Sequence, residues 1–197
     1  MSIKAYRPTT PAQRQKTTQD FDQITTRKPM KSLLASKKQM AGKNNAGRIT
    51  VRHRGGGVKR HYRILTYKLP ADSKFEIMEI EYDPNRSARI ARVKDQNGTY
   101  YYVIADGSMR KGNTFETGKD AAVETSNRLP IENIPVGTFI YAIELTPGRG
   151  AQIVRSAGTK AQLMAKENGY ATIKLPSGEM RKVLVNCEAS IGVVGNE

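Results

Sequence analysis

From residue 64 onward, apolar and polar positions alternate in short runs broken by Gly, Pro, Asn and Asp, which is the period of half-buried strands rather than of helices. The alternation predicts strands over 64–67, 75–82, 87–94, 99–104 and 114–116. After a connector at 129–137 it predicts more over 138–145, 151–154, 162–167, 170–175 and 180–185. Ala171, Ile173 and Leu175 alternating with Thr172 and Lys174 show the pattern most clearly. Asp83-Pro84-Asn85 reads as a turn, because Pro fixes φ and Asp and Asn bond back to their own backbone. Asn97-Gly98, Asn168-Gly169 and Pro176-Ser177-Gly178 read as hairpin turns. Pro130 and Pro135 are expected to keep the connector out of any helix or central strand. The first run of strands suggests a small closed barrel. Two β units of this size each bury only about 60% of their unfolded surface, so they are expected to pack on each other or on a partner.

Residues 1–63 read differently. Apolar residues at 1–42 (Ile3, Tyr6, Phe21, Ile24, Leu33, Leu34) keep no sustained period, which predicts an extended segment ordered mainly by what it binds. Residues 43–63 hold seven Lys or Arg and no acid. Such a stretch cannot bury itself and needs an anionic surface. Gly55-Gly56-Gly57 in its middle has no side chains to hold a backbone away from phosphates, and Arg52, Arg54, Lys59 and Arg60 flank it. A solvated basic linker has the same composition, and both readings stand at this point. It is neither a Walker loop nor a dinucleotide fingerprint, since it lacks a closing Gly-Lys-Ser/Thr and a G-x-G-x-x-G opening a helix.

Charge sharpens the division. Residues 1–63 hold 16 Lys/Arg against two acids, and residues 64–197 hold 17 against 16, so 14 of the net +15 lies in the first third. This is a basic arm on a near-neutral body, and nucleic acid is its expected partner. Binding of that kind weakens with a log–log salt slope of roughly −0.7 to −0.9 per phosphate neutralised. A membrane is not expected: no apolar run is long enough to span one, and Pro8, Pro11 and Pro29 spoil a surface helix. Cys187 is the sole cysteine, and His53 and His61, the only histidines, lie in the basic stretch away from carboxylates. No metal site and no cofactor are expected, and Cys187 reads as a small buried residue. With no histidine in the body and no Ser/His/Asp, Cys/His or paired-carboxylate arrangement, no enzyme is expected. The N-terminus has no apolar signal core, and a reducing, intracellular compartment is expected.

Three turns of the body carry candidate contacts. Arg86 and Arg89 follow Asp83-Pro84 and are read either as phosphate clamps or as the solvated start of a strand. Arg155, Ser156 and Thr159 combine cation, hydroxyls and the small Gly158, which suits sugar and phosphate contacts. Arg181 and Lys182 follow Ser177-Gly178. Tyr100-Tyr101-Tyr102 could stack bases, although strand tyrosines more often fill core and rim.

Tyr6 to Pro11, Asn44 to Gly57, Glu81 to Ala88, Asn133 to Gly137, Arg155 to Thr159, Ser177 to Val183 and Gly192 to Asn196, in this order, resemble the universal large-subunit ribosomal protein L2 family. The resemblance implies an all-β fold: an extended basic arm (1–63), an OB-like barrel (64–124) and an SH3-like barrel (125–197). It also implies a structural constituent of the large subunit that binds ribosomal RNA near the subunit interface and supports subunit association and translation. The implied partners are large-subunit rRNA, neighbouring ribosomal proteins and the small subunit, on a cytoplasmic or organelle ribosome. Carried over by residue, the implied RNA-binding set is Arg48, Arg52, His53, Arg54, Gly55, Gly56, Gly57, Lys59, Arg60, Arg86, Arg89, Arg155, Ser156, Thr159, Arg181 and Lys182. Because the resemblance begins at Tyr6, little room is expected for a transit peptide.

Two departures stand out. Val58 occupies a position where the family commonly has histidine, and the sequence stops at Asn196-Glu197, where the family normally continues into a Gly-, Arg- and His-rich extension. The competing reading is a transiently bound OB/SH3-like translation or RNA-chaperone factor. A high-salt gradient separates the two, since a structural component stays with the subunit and a factor washes off.

Overall fold

The computed structural model describes residues 3–197, and among them there are strands, turns and three single-turn 3-10 helices but no α-helix. The first third contributes β1 (Ile3–Ala5), β2 (Thr17–Gln19), β3 (Leu34–Ser36) and β4 (His61–Arg63). These form two antiparallel ribbons, β1 with β2 and β3 with β4. The body holds β5 (Ser73–Glu81), β6 (Ile90–Asp95), β7 (Tyr100–Ile104), β8 (Thr114–Thr117), β9 (Arg128–Pro130), β10 (Phe139–Tyr141), β11 (Ala161–Glu167), β12 (Tyr170–Lys174), β13 (Met180–Leu184) and β14 (Glu188–Ile191).

The body strands form one sheet in the order β13-β12-β11-β10-β14-β9-β8-β5-β6-β7. Pairing is antiparallel except at one place, where Thr117 of β8 lies parallel to Arg128 of β9 and joins the two halves. The all-β class is therefore as expected. Among the described residues neither half is closed into a barrel by a strand ladder.

Burial divides the interior into three clusters. Phe75, Ile77, Ile80, Val93 and Phe115 fill the first half, and Leu129, Ile140, Leu163, Ile173 and Cys187 fill the second. The third lies between them: Leu65, Ile90, Tyr102 and Ile104 meet Tyr141, Ala142, Ala151 and Val194, with Met30 and Leu33 of the arm packed against it. The two halves do pack on each other, which relieves the shortage of core that each would face alone. A bulge in β5 between Ile77 and Glu79 shifts the inward parity, so that Ile77 and Ile80, three apart, both reach the core.

Several boundaries differ from those the alternation predicts. The strand at 64–67 reduces to one bridge, Leu65 to Tyr102, because its backbone is shared among three partners: Ile64 N–H donates to Leu33 O (2.9 Å), Thr66 N–H to Tyr102 O (2.8 Å), and Tyr67 O accepts from Ala151 N–H (2.9 Å). Residues 87–89 lie outside β6, and 151–154 is reduced to a bridge at Ile153. The connector is the largest departure: Arg128–Pro130 sits in the middle of the sheet order, with Pro130 opposite Glu188 at the end of the β9–β14 ladder. Proline is tolerated there because it stands at the end of the ladder, and the donors that follow are Ile131 N–H to Cys187 O (2.9 Å) and Glu132 N–H to Val185 O (3.0 Å), from the 3-10 turn Ile131–Asn133.

The arm is also more structured than its lack of period suggests. Besides its two ribbons, it lies along the part of β5 that β8 leaves free. Thr25 N–H donates to Ile80 O (3.0 Å), Ile80 N–H donates to Thr25 Oγ1 (2.9 Å), and the Thr25 hydroxyl donates to Glu79. Met30 N–H donates to the Tyr102 hydroxyl (2.8 Å), which donates in turn to Glu81 (2.7 Å). These contacts are strand-like pairings and side-chain caps rather than apolar stripes, and so left no hydrophobic signature in the sequence.

Candidate nucleic-acid interface

The turn after β5 organises the surface. Asp83 is fully buried, and its carboxylate accepts from Asn85 N–H (2.9 Å), Asn85 Nδ2 (3.1 Å) and Arg86 Nε (2.7 Å). So fixed, Asn85 donates to His61 O (3.0 Å), and Lys37 Nζ lies 3.4 Å from Asn85 Oδ1. Arg60 Nη1 donates to Pro84 O (2.8 Å). One buried carboxylate thus anchors both the body's Arg86 and the base of the arm's basic loop.

Above this anchor, residues 45–60 are exposed throughout. Lys37, Lys38, Gln39, Met40, Arg54, Gly55, Gly57 and Arg60 surround an open cleft of about 630 Å³ with four cations and no acid. The loop has internal order. Gly42 O accepts from Thr50 N–H (2.9 Å) and Val51 N–H (3.1 Å), and Asn44 caps a turn by accepting from Gly47 and Arg48 N–H groups. Gly42 has φ of +73°, and a Cβ there would lie 2.1 Å from Val51 O, so only glycine closes this loop. Gly55 to Gly57 behave otherwise. None has a positive φ, and a Cβ on Gly55 or Gly57 would meet nothing within 4 Å. The chain's own packing does not require glycine at 55 or 57.

Tyr67 links this surface to the second half. Its hydroxyl accepts from Arg86 Nη1 (3.3 Å), and the Arg155 guanidinium lies over its ring at 4.8 Å. Arg155 continues into Ser156 and Thr159, where the Thr159 hydroxyl donates to Ser156 O (2.7 Å). Gly158 and Thr159 are stitched to Val194, and Asn196 Nδ2 donates both to Ser87 O (2.7 Å) and to Gln19 Oε1 (3.0 Å). The arm, the 83–87 turn and the 155–159 loop therefore meet in one contiguous cationic face.

The remaining candidates fall elsewhere. Arg181 and Lys182 are exposed on β13, the outer edge of the sheet, opposite Ile173 and Thr172. Among the described residues neither makes a side-chain hydrogen bond or ion pair. Arg89 is not at a rim. It is 3% exposed, donates to Gln19 Oε1 (3.3 Å) and Asp20 O (3.1 Å), and lies 5.0 Å from the Phe21 ring centre. Burial lowers its pKa. Ala88 and Ile90 are core residues on either side, and the turn that leaves Arg86 partly exposed folds Arg89 inward. Its task in the folded chain is to hold the arm. Two of the three tyrosines are likewise structural: Tyr102 is fully buried and Tyr101 packs edge-on against Phe75.

Sequence reasoning missed Lys37, Lys38, Asn85 and Tyr67. Lys37-Lys38 was visible as a charge pair. Tyr67 carried no signal, since its part depends on two arginines 19 and 88 residues away in sequence meeting at one ring.

Two family models match the chain. One, described as Ribosomal Proteins L2, RNA binding N-terminal domain, matches residues 30–117. The other, described as Ribosomal Proteins L2, C-terminal domain, matches residues 124–197. Together they cover most of the chain, and the gap between them, 118–123, lies in the connection between β8 and β9.

Proposed function

The chain belongs to the ribosomal protein L2 family, and from that premise we propose that the contiguous cationic face is its rRNA-binding surface. As a family member it is a structural, rRNA-binding protein of the large ribosomal subunit and not an enzyme. The contact set we assign is Arg48, Arg52, His53, Arg54, Gly55 to Gly57, Lys59 and Arg60 in the loop, Arg86 in the turn, and Arg155, Ser156 and Thr159 beyond Tyr67. Lys37 and Lys38 join it from the cleft. Arg181 and Lys182 form a second foothold at the β13 edge.

One observation carries this reading: glycines that the fold does not need stand among cations that no acid of the cleft neutralises. Such a loop is shaped for a polyanion, because bare backbone N–H groups and guanidinium forks can approach phosphate oxygens together. The arm (1–63) is then the principal binding element, and the segments 64–124 and 125–197, of OB-like and SH3-like lineage, hold it in register. The finer placement we propose is near the subunit interface, among neighbouring ribosomal proteins and facing the small subunit, in support of subunit association. The working location is a ribosome of the cytoplasm or of an organelle.

The test is the Arg52→Ala/Arg54→Ala/Lys59→Ala variant. Its unfolding midpoint should match the parent's, because the three residues are exposed, while its affinity for large-subunit rRNA should fall. The log–log salt slope should shrink by about two to three, at roughly 0.7–0.9 per lost phosphate contact. An unchanged slope would remove the loop from the interface.

A further inference from the structure

A second cavity lies on the arm-to-body seam and shares no lining residue with the cationic cleft. It measures about 380 Å³ and is lined by Phe21, Ile24, Arg27, Arg63 and Tyr82, within the ~300–1,000 Å³ range of small-ligand sites. Phe21 and Tyr82 meet edge to face, with ring centres 5.9 Å apart and an interplanar angle of 88°. Both rings stay open to solvent, at 49% and 44% exposure, where a packing pair would be covered.

Two buried guanidiniums adjoin the rings. Arg89 lies 5.0 Å from the Phe21 ring centre and 6.0 Å from that of Tyr82. Its Nε and Nη1 have no hydrogen-bond partner, and neither does Nε of Arg63, a residue only 9% exposed. Unmet buried donors are costly and rare in a finished structure. Arg27 adds an exposed cation at the wall.

Open aromatic faces beside cations are the combination that captures single-stranded nucleic acid: the base stacks on the ring, and the guanidiniums take its phosphate or carbonyl oxygens. An acidic peptide would use the cations and leave the rings idle. We propose that this pocket takes one unpaired RNA base, stacked on Phe21 or Tyr82, with its phosphate held by Arg27 and Arg63. The inference rests on the rRNA-binding reading and deepens it, because it adds base capture to a surface otherwise built for backbone contacts. It also gives the arm a reason to fold back on the body: Phe21 comes from the arm and Tyr82 from the residue after β5, so the pocket exists only when the two are docked. Asp20 and Asp22 flank Phe21 in sequence, which places the phosphate at the Arg27–Arg63 side.

The experiment uses the full chain with deproteinised large-subunit rRNA. Ultraviolet crosslinking followed by mass spectrometry should recover a nucleotide on the peptide containing Phe21 or Tyr82. The Phe21→Leu/Tyr82→Leu variant keeps apolar bulk but no ring, and should bind rRNA about tenfold more weakly or worse. Arg27→Gln should weaken binding and reduce the salt slope by just under one. The crosslink is read on the unaltered chain, so a destabilised variant cannot hide the answer. If the parent binds rRNA but neither ring crosslinks and the double-leucine variant binds equally well, the pocket is not a base site. Crosslinks from these rings only to protein in the assembled subunit would overturn it equally. If the parent itself fails to bind rRNA, the broader reading fails instead.

Discussion

The arm and the body are held by different forces. Among the described residues, every buried apolar side chain lies at Leu65 or beyond, and the arm adds only the partly buried Met30 and Leu33 to the shared cluster. The body is stabilised by burial of area, worth about 25 cal/mol per Å². The arm is stabilised by short ribbons, by backbone pairing to β5, and by directed contacts such as Tyr102 to Met30 and Arg89 to Gln19 and Asp20. Contacts of that kind are each worth about 0.5–1.5 kcal/mol net. With 14 of the 15 net charges in residues 1–63 and no apolar cluster of its own, the arm is the part whose order depends most on neutralisation. If the arm is the rRNA-binding element proposed above, this construction lets it adjust to its RNA while the body stays fixed.

The comparison can be broken most forcefully from the body's side. Arg128 is buried on β9; its Nε donates to Glu188 (2.9 Å) and its Nη1 to Ala142 O (2.9 Å). Its Nη2 lies 3.3 Å from Glu144 Oε1, near enough for charge attraction but not aligned for a hydrogen bond. Arg128→Met would leave Glu144 charged and buried, and should cost about 3–5 kcal/mol in urea unfolding. Body and arm should be lost together. Survival of the body would show that the buried contacts of Arg128 with Glu188, Ala142 and Glu144 are dispensable.

A smaller change should separate the two regions. Tyr102→Phe removes the hydroxyl that joins Met30 N–H to Glu81. The expected loss is about 1–3 kcal/mol, with hydrogen exchange rising in the arm around Met30 more than in β11 to β13. Equal acceleration everywhere would mean the arm is part of the body's cooperative unit.

The smallest effect is a pH dependence. Burial raises the Glu81 carboxyl above its ordinary value, outweighing the Tyr102 hydrogen bond and the Arg92 and Arg63 charges that pull it down. The folded chain therefore keeps a proton that the unfolded chain has released, so this group's contribution to stability falls as pH rises from 4.5 through the raised value. Glu79, lowered chiefly by its Lys111 and Thr25 hydrogen bonds, acts in the opposite sense: its contribution is lost as pH falls. Comparing the parent with Glu81→Gln leaves Glu79 in both arms of the experiment. The parent-minus-variant stability should decline with rising pH across that window, and a rise would contradict the assigned shift.

The sequence by itself determined the β class, most hairpin turns, the burial of Cys187 and the division between a basic arm and a near-neutral body. These depend on nearest neighbours: alternation over a few residues, Asn-Gly or Pro at a turn, and charge along a stretch. Tertiary structure alone decided that Arg89 turns fully inward while Arg86, three residues earlier, stays partly exposed, and that Pro130 closes a strand in mid-sheet. It alone brought Arg86 and Arg155 to Tyr67, and Phe21 to Tyr82. The physical reason is common to all of these. A guanidinium's place is set by which carbonyls, carboxylates and rings surround it after folding, and those partners lie tens of residues away, where no local period can register them.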